Sequence, residues 1–256
     1  MITQQIIILC IAAFAAGFID AIVGGGGLIQ TPATLITLPQ YPVATLLGTT
    51  KIPSFLGTSM AAAQYARRVK LQWKLLALMC SIALAAAWVG SKTVAVVSNA
   101  FMKPIIFGVL ILVAIYTYSK KNFGTASIKE HSSKRQAFYG AAAALLIGFY
   151  DGFIGPGAGS FLILFFISLL GFDFLKASAH AKFVNLATNM GSIIYFGASG
   201  HILFQYAIPM AACNLTGSLL GARLAILKGN TFIRVFFLVV IAATILRFGY
   251  DIFFKH

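Results

Sequence analysis

One stretch of this chain, Gly17 to Lys51, occurs twice. The first copy begins GFIDAIVGGGGLIQ and ends GTTK; the second, Gly148 to Lys182, begins GFYDGFIGPGAGSF and ends AHAK. At a shift of 131 residues the two align without a gap, placing Asp20 on Asp151, Gly24 on Gly155, Gly26 on Gly157 and Lys51 on Lys182. The same shift pairs Gly90 with Gly221, Lys92 with Arg223, Asn99 with Asn230, Phe101 with Phe232 and Lys103 with Arg234. So many polar matches at one offset mark an internal duplication of about 110 residues.

Composition decides the medium. Of the 256 residues 60% are hydrophobic and 9% charged, too much apolar surface for a soluble domain of this size. Apolar blocks long enough to cross a bilayer core of about 30 Å follow one another along the chain. An all-α polytopic membrane protein is expected; the alternating ten-residue segments of a transmembrane barrel are missing. The formal charge of +14 marks cytoplasmic loops and favours anions. Its Lys and Arg lie in short inter-helix loops, which argues against nucleic acid. Cys10, Cys80 and Cys213 are scattered, without metal or disulfide spacing, and no cofactor is expected. Residues 1–22 lack a basic leader region, so no cleaved signal is expected.

Each half follows one order. A first span (Ile6–Val23; Ala137–Ile154) ends at a glycine-rich break (Gly24–Gly27; Gly155–Gly159). A short block follows (Leu28–Leu38; Ser160–Leu170), whose eleven residues rise only about 16 Å. Next comes a block carrying the lysine (Val43–Ala66; Leu175–Ala198), the first with Pro53 as an expected kink. Two further spans close each half: Leu75–Val97 and Phe101–Tyr118, then Ala207–Leu227 and Phe232–Phe253. Residues 1–119 and 136–256 are read as two membrane repeats, and residues 120–135 as a basic cytoplasmic linker.

Charge sets the topology. The loop after the first lysine block is Arg67-Arg68-Val69-Lys70; the matching loop, Ala198-Ser199-Gly200-His201, has no Lys or Arg. With Arg67–Lys74, the linker and Arg223–Arg234 inside, the inner side holds twelve Lys and Arg and the outer side four. That requires an odd number of crossings per repeat. The expectation is five plus five, inverted, with helices broken at the glycines and both termini outside. Eight crossings with re-entrant short blocks is the alternative, and it gives up the inversion.

Inverted repeats with broken helices are the usual build of secondary transporters. A helix broken within the bilayer leaves backbone groups unpaired, which is tolerable around a protein-enclosed polar cavity. The short helices would each aim a partly positive N-terminus at the centre, an anion site formed around Gly25, Gly26, Gly27, Gly157, Ala158 and Ser160. Close helix packing is the plainer use of the same glycines. Lys51 and Lys182 each cost roughly 2.5–3.5 kcal/mol on insertion scales. Each heads a polar stripe at spacing i, i+3, i+7: Lys51, Ser54 and Thr58; Lys182, Asn185 and Asn189. Ammonium, hydroxyl and amide donors suit a small oxyanion, whereas a lysine near a helix end snorkels to the headgroups. Thr49, Thr50 and His180 precede the lysines as further lining candidates. Asp20 and Asp151 have three open roles: pairing with the lysines, holding the broken backbone, or carrying a coupling proton. Asp20, ahead of four flexible glycines, is the expected carrier over Asp151, whose break is stiffened by Pro156.

The doubled pattern, AGFIDAIVGGGG with LGTTK and GFYDGFIGPGAGS with ASAHAK, resembles the sulfite exporter and organosulfur permease family of TauE/SafE type over essentially the whole chain. The resemblance implies an inner-membrane permease for sulfite, sulfoacetate or a related small anion, embedded in lipid, with proton coupling and a homodimer as further expectations. Pro156 and His180-Ala181 depart from the first copy, so the half-sites are not equivalent. A channel on the same scaffold is the competing reading. An enzyme is not expected, since HExxH, GxSxG and clustered intramembrane acids are missing.

Overall fold

The computed structural model describes residues 2–98, 101–102, 105, 108 and 133–254. The expected span Phe101–Tyr118, apart from a few of its residues, and most of the linker lie outside the described residues. Those described form eight helices, with no strand among them: α1 (Ile2–Val23), α2 (Gly27–Thr37), α3 (Val43–Ala66), α4 (Trp73–Val96), α5 (Ser133–Phe153), α6 (Ala158–Leu170), α7 (Phe174–Ala198) and α8 (Phe204–Phe254).

The breaks fall where the glycines are. Gly24, Gly155 and Gly157 hold φ of +73°, +95° and +85°, a region closed to most side chains. Two features differ from expectation and one agrees with it. α3 runs unbroken through Pro53, because burial along most of its length holds the helix where one N–H is lost. The last two expected spans are two helices within α8, divided at Gly229, whose backbone is non-helical (φ 70°, ψ −161°). α5 starts at Ser133, inside the expected linker.

The apolar surface faces outward. Ile7, Ile8, Ile11 and Phe14 of α1 and Leu145 and Leu146 of α5 are exposed, as lipid-facing side chains are. Among the described residues Ile2–Val23, Trp73–Val96 and Phe204–Ile233 are long and apolar enough to cross a membrane. α3 and α7 are as long but more polar. They sit inside, α3 against α7 and α8, and α7 against α3 and α4. α6 is buried on every side from Leu162 to Ile167, as a helix apolar all round must be.

Contacts order the helix ends. At one end Gln5 donates to Thr37 O and accepts from the Tyr206 hydroxyl, and Thr49 accepts from the Leu203 N–H. This end gathers the start of α1, the end of α2 and the starts of α3 and α8. The opposite end is basic. There the Gln72 N–H meets His180, Trp73 packs edge-on against Phe183, and Arg67, Arg68 and Arg223 share a cavity with Leu175. It gathers the end of α3 and the starts of α4 and α7. Gly140 lies against Met79, Gly148 against Ala83 and Gly152 against Ala87, so α5 runs beside α4 in the same direction and also starts at the basic end.

Candidate functional site: a charged cavity where two broken helices meet

The two glycine breaks pack directly on each other. A Cβ on Gly24 would lie 2.4 Å from the carbonyl carbon of Gly159, and one on Gly27 3.0 Å from Pro156 Cα. The Ser160 N–H donates to Gly24 O (3.1 Å) and its hydroxyl to Val23 O (2.9 Å). The first turn of α6 thus satisfies carbonyls that the end of α1 leaves open. Close packing and a polar centre therefore come from the same glycines.

Around this junction lies a cavity of about 40 Å³, room for a few waters. Its walls include Asp20, Gly24, Gly27, Thr50, Lys51, Ser54, Asp151, Gly155, Gly157, Asn185 and Asn189. The lysines do not snorkel. Lys51 is buried and its ammonium reaches Asp151 Oδ1 at 3.0 Å and Asp151 O at 2.7 Å. Lys182, 1% exposed, reaches Asp20 Oδ2 at 2.8 Å and also donates to Asp20 O. Each lysine pairs with the aspartate of the other copy. Thr58 Oγ1 lies 3.5 Å from Asp20 Oδ2, and the Gly26 N–H 3.4 Å from Asp20 Oδ1.

Other sequence candidates fall outside the cavity lining. Thr49 donates back to Thr45 O and accepts from Leu203. His180 is fully buried among Phe166 and Phe172, with Nδ1 on Lys176 O and Nε2 accepting from the Gln72 N–H. Both ring nitrogens are spent on pinning the α3–α4 loop to α7. Gly25, Gly26, Thr58, Ala158, Ser160 and Lys182 likewise lie outside the lining. Gln30 and Asn214 were not singled out from sequence. Asn214 Nδ2 donates to Gln30 Oε1 (2.9 Å), and Gln30 Nε2 to Thr50 O (3.0 Å), a relay ending at the cavity wall. Two amides inside apolar spans were the available signal; only the fold puts them in line.

Lipid-facing helices around a buried, charged cavity at paired helix breaks define a multi-pass membrane protein with a polar interior. The chain belongs to the family described as sulfite exporter TauE/SafE, whose match covers residues 9–248. It is 37% identical to "Probable membrane transporter protein ORF9" of Sinorhizobium sp, covering 93% of this chain and 90% of that one. It is 33% identical to a "Probable membrane transporter protein" of Haemophilus influenzae, covering 89% of this chain and 88% of that one. Against "Probable membrane transporter protein YfcA" of Escherichia coli K12 the identity is 32%, over 95% and 89% of the two chains. No solved structure matches. The protein is a membrane transporter, not an enzyme, with a small solute as its substrate.

Proposed function

We propose that the protein is a secondary transporter exporting a small organosulfur or sulfur oxyanion, such as sulfite or sulfoacetate, by alternating access around the central cavity. One observation carries this: a buried ammonium, a hydroxyl and two amides, those of Lys51, Ser54, Asn185 and Asn189, line one cavity at the junction of two broken helices. These are oxyanion donors, held where backbone breaks are tolerable. At about 40 Å³ the cavity opens and closes only if the surrounding helices move, as alternating access requires.

The two halves are, in this reading, inverted repeats. The supporting geometry is that α1 starts at the Gln5 end and its sequence counterpart α5 at the basic end. The same opposition holds for α3 with α7 and for α4 with α8. α2 ends where α1 began, so a short returning helix is compatible with inversion. The basic end, holding Arg67, Arg68, Lys70, Lys74, Lys176 and Arg223, faces the cytoplasm, which puts both termini outside the inner membrane.

The test is a ligand screen on the purified protein with sulfite, sulfate, thiosulfate, taurine, sulfoacetate and isethionate. At least one anion is expected to raise the unfolding temperature in a concentration-dependent way, and to do so far less in Lys51→Met. Saturable counterflow of that anion in proteoliposomes separates a carrier from a channel. No stabilisation by any of the six would remove the substrate assignment.

A further inference from the structure

The two ion pairs look alike in sequence but are not equally complete. Both oxygens of Asp20 are in use: Oδ2 faces Lys182 and Thr58, and Oδ1 faces the Gly26 N–H. That carboxylate ties α1 to α7 and α3 and closes its own glycine break. Asp151 spends only Oδ1, on Lys51. Its Oδ2 is buried and has no hydrogen-bond partner among the described residues, in a residue that is 4% exposed. A buried carboxylate oxygen without a donor leaves the charged form of Asp151 incompletely satisfied.

The surroundings narrow what completes it. From α3, Lys51 lies on Oδ1. Across the cavity Asp20 of α1 is held by Lys182 of α7, whose Asn185 and Asn189 carry no charge. From α4, Ser91 donates to Gly152 O; Lys92 lies over the Trp88 ring. On α5 itself the Tyr150 hydroxyl donates to Pro156 O rather than to Asp151. α6 brings no titratable group to the cavity wall. With the Lys51 ammonium already on Asp151, a metal cation at Oδ2 would meet like charge. A proton instead forms a neutral O–H, which is a donor.

We propose that Lys51–Asp151 is the working pair, taking up one proton at Asp151 Oδ2 together with one monovalent oxyanion, while Lys182–Asp20 is the structural pair. The proposal rests on the anion-transport reading above and gives it a co-transported proton, so that outward movement is driven by the anion's own gradient. The proton comes from solvent and forms the Oδ2–H bond. Neutral Asp151 then releases the charge of Lys51, and the O–H and ammonium present two adjacent donors to two oxygens of the anion. The empty pair and the doubly loaded site carry the same net charge, so uptake of a monoanion is electroneutral. By linkage, anion and proton each favour binding of the other, and anion affinity rises as pH falls. The assignment reverses the expectation based on glycine flexibility, because the flexible break at Gly24 is the one its aspartate ties down.

The test needs two readouts on the full chain in detergent. In infrared difference spectra between acid and neutral pH without any anion, a protonated-carboxyl band is expected in wild type. It should be absent in Asp151→Asn, shifted but present in Asp151→Glu, and present in Asp20→Asn. Isethionate, a strong-acid monoanion, is then added in weak buffer with an indicator dye. Binding should take up about one proton per anion in wild type and close to none in Asp151→Asn. A band that survives in Asp151→Asn, or vanishes in a folded Asp20→Asn, overturns the division of roles. A band that behaves as expected without isethionate binding upholds Asp151 as the proton site and overturns the choice of anion.

Discussion

At the residue scale, Lys51 and Lys182 answer two questions at once. As buried members of ion pairs they are structural, since removing one partner from such a pair costs about 3–5 kcal/mol and strands the other charge. As the proposed donor to an anion, Lys51 is functional as well. A pair of variants separates the roles. Lys51→Met should lower the unfolding temperature and abolish anion binding. Lys51→Met with Asp151→Asn should recover much of the stability but none of the binding, as thermal unfolding and ligand titration on the same preparations will show. If the double variant binds the anion normally, Lys51 serves the fold alone. His180 marks the opposite case. Its position two residues before Lys182 makes it a lining candidate, but both of its ring nitrogens are used at the basic end.

At the element scale the decisive objects are the two breaks. Each lets a helix stop inside the protein and turn into a short helix; Ser160 at the start of α6 bonds to the other copy, whereas the first turn of α2 bonds to Gly25 O and Gly26 O of its own. Gly24→Ala would combine a left-handed φ of +73° with a Cβ 2.4 Å from Gly159. The strained dihedral alone costs about 1–2 kcal/mol, and the backbone contact adds to it. Gly159→Ala meets Gly24 O at 2.6 Å in return. Both should lower the unfolding temperature and the yield of folded protein. Gly197→Ala in α7, whose Cβ would find only Ile202 Cδ1 at 3.9 Å, should do neither. Equal tolerance of all three by thermal unfolding would mean that the breaks do not pack as described. The half-helices also differ: α6 is sheathed in core, whereas α2 exposes Ile36. The element with an exposed face has the smaller barrier to movement.

At the scale of the whole molecule, orientation is the property to test. Lys70 lies in the loop at the basic end and Ser199 in the loop at the Gln5 end, and both are exposed. In a background with Cys10, Cys80 and Cys213 replaced, an impermeant thiol reagent added to intact cells should label Ser199→Cys and spare Lys70→Cys. Labelling of both from outside would contradict the inverted arrangement and its charge rule. The three native cysteines must go first, because each is partly accessible and would itself take the reagent.

The sequence by itself determined the medium, the helix content and the sites of the breaks, because these depend on local properties. Apolar length specifies a span, and consecutive glycines specify where helical geometry fails. The shift of 131 residues also singled out Asp20, Lys51, Asp151 and Lys182, since so few charges occur inside apolar blocks. Tertiary structure alone decided their partners. Lys51 is 31 residues from Asp20 and 100 from Asp151, and separation along the chain favours the nearer acid; the packing of one break on the other selects the farther one. It likewise put Gln30 in line with Asn214, turned His180 into a loop anchor, and left one oxygen of Asp151 without a hydrogen-bond partner among the described residues. These are relations between helices brought together by burial, and a helix's own pattern carries only which of its faces is buried, not what it is buried against.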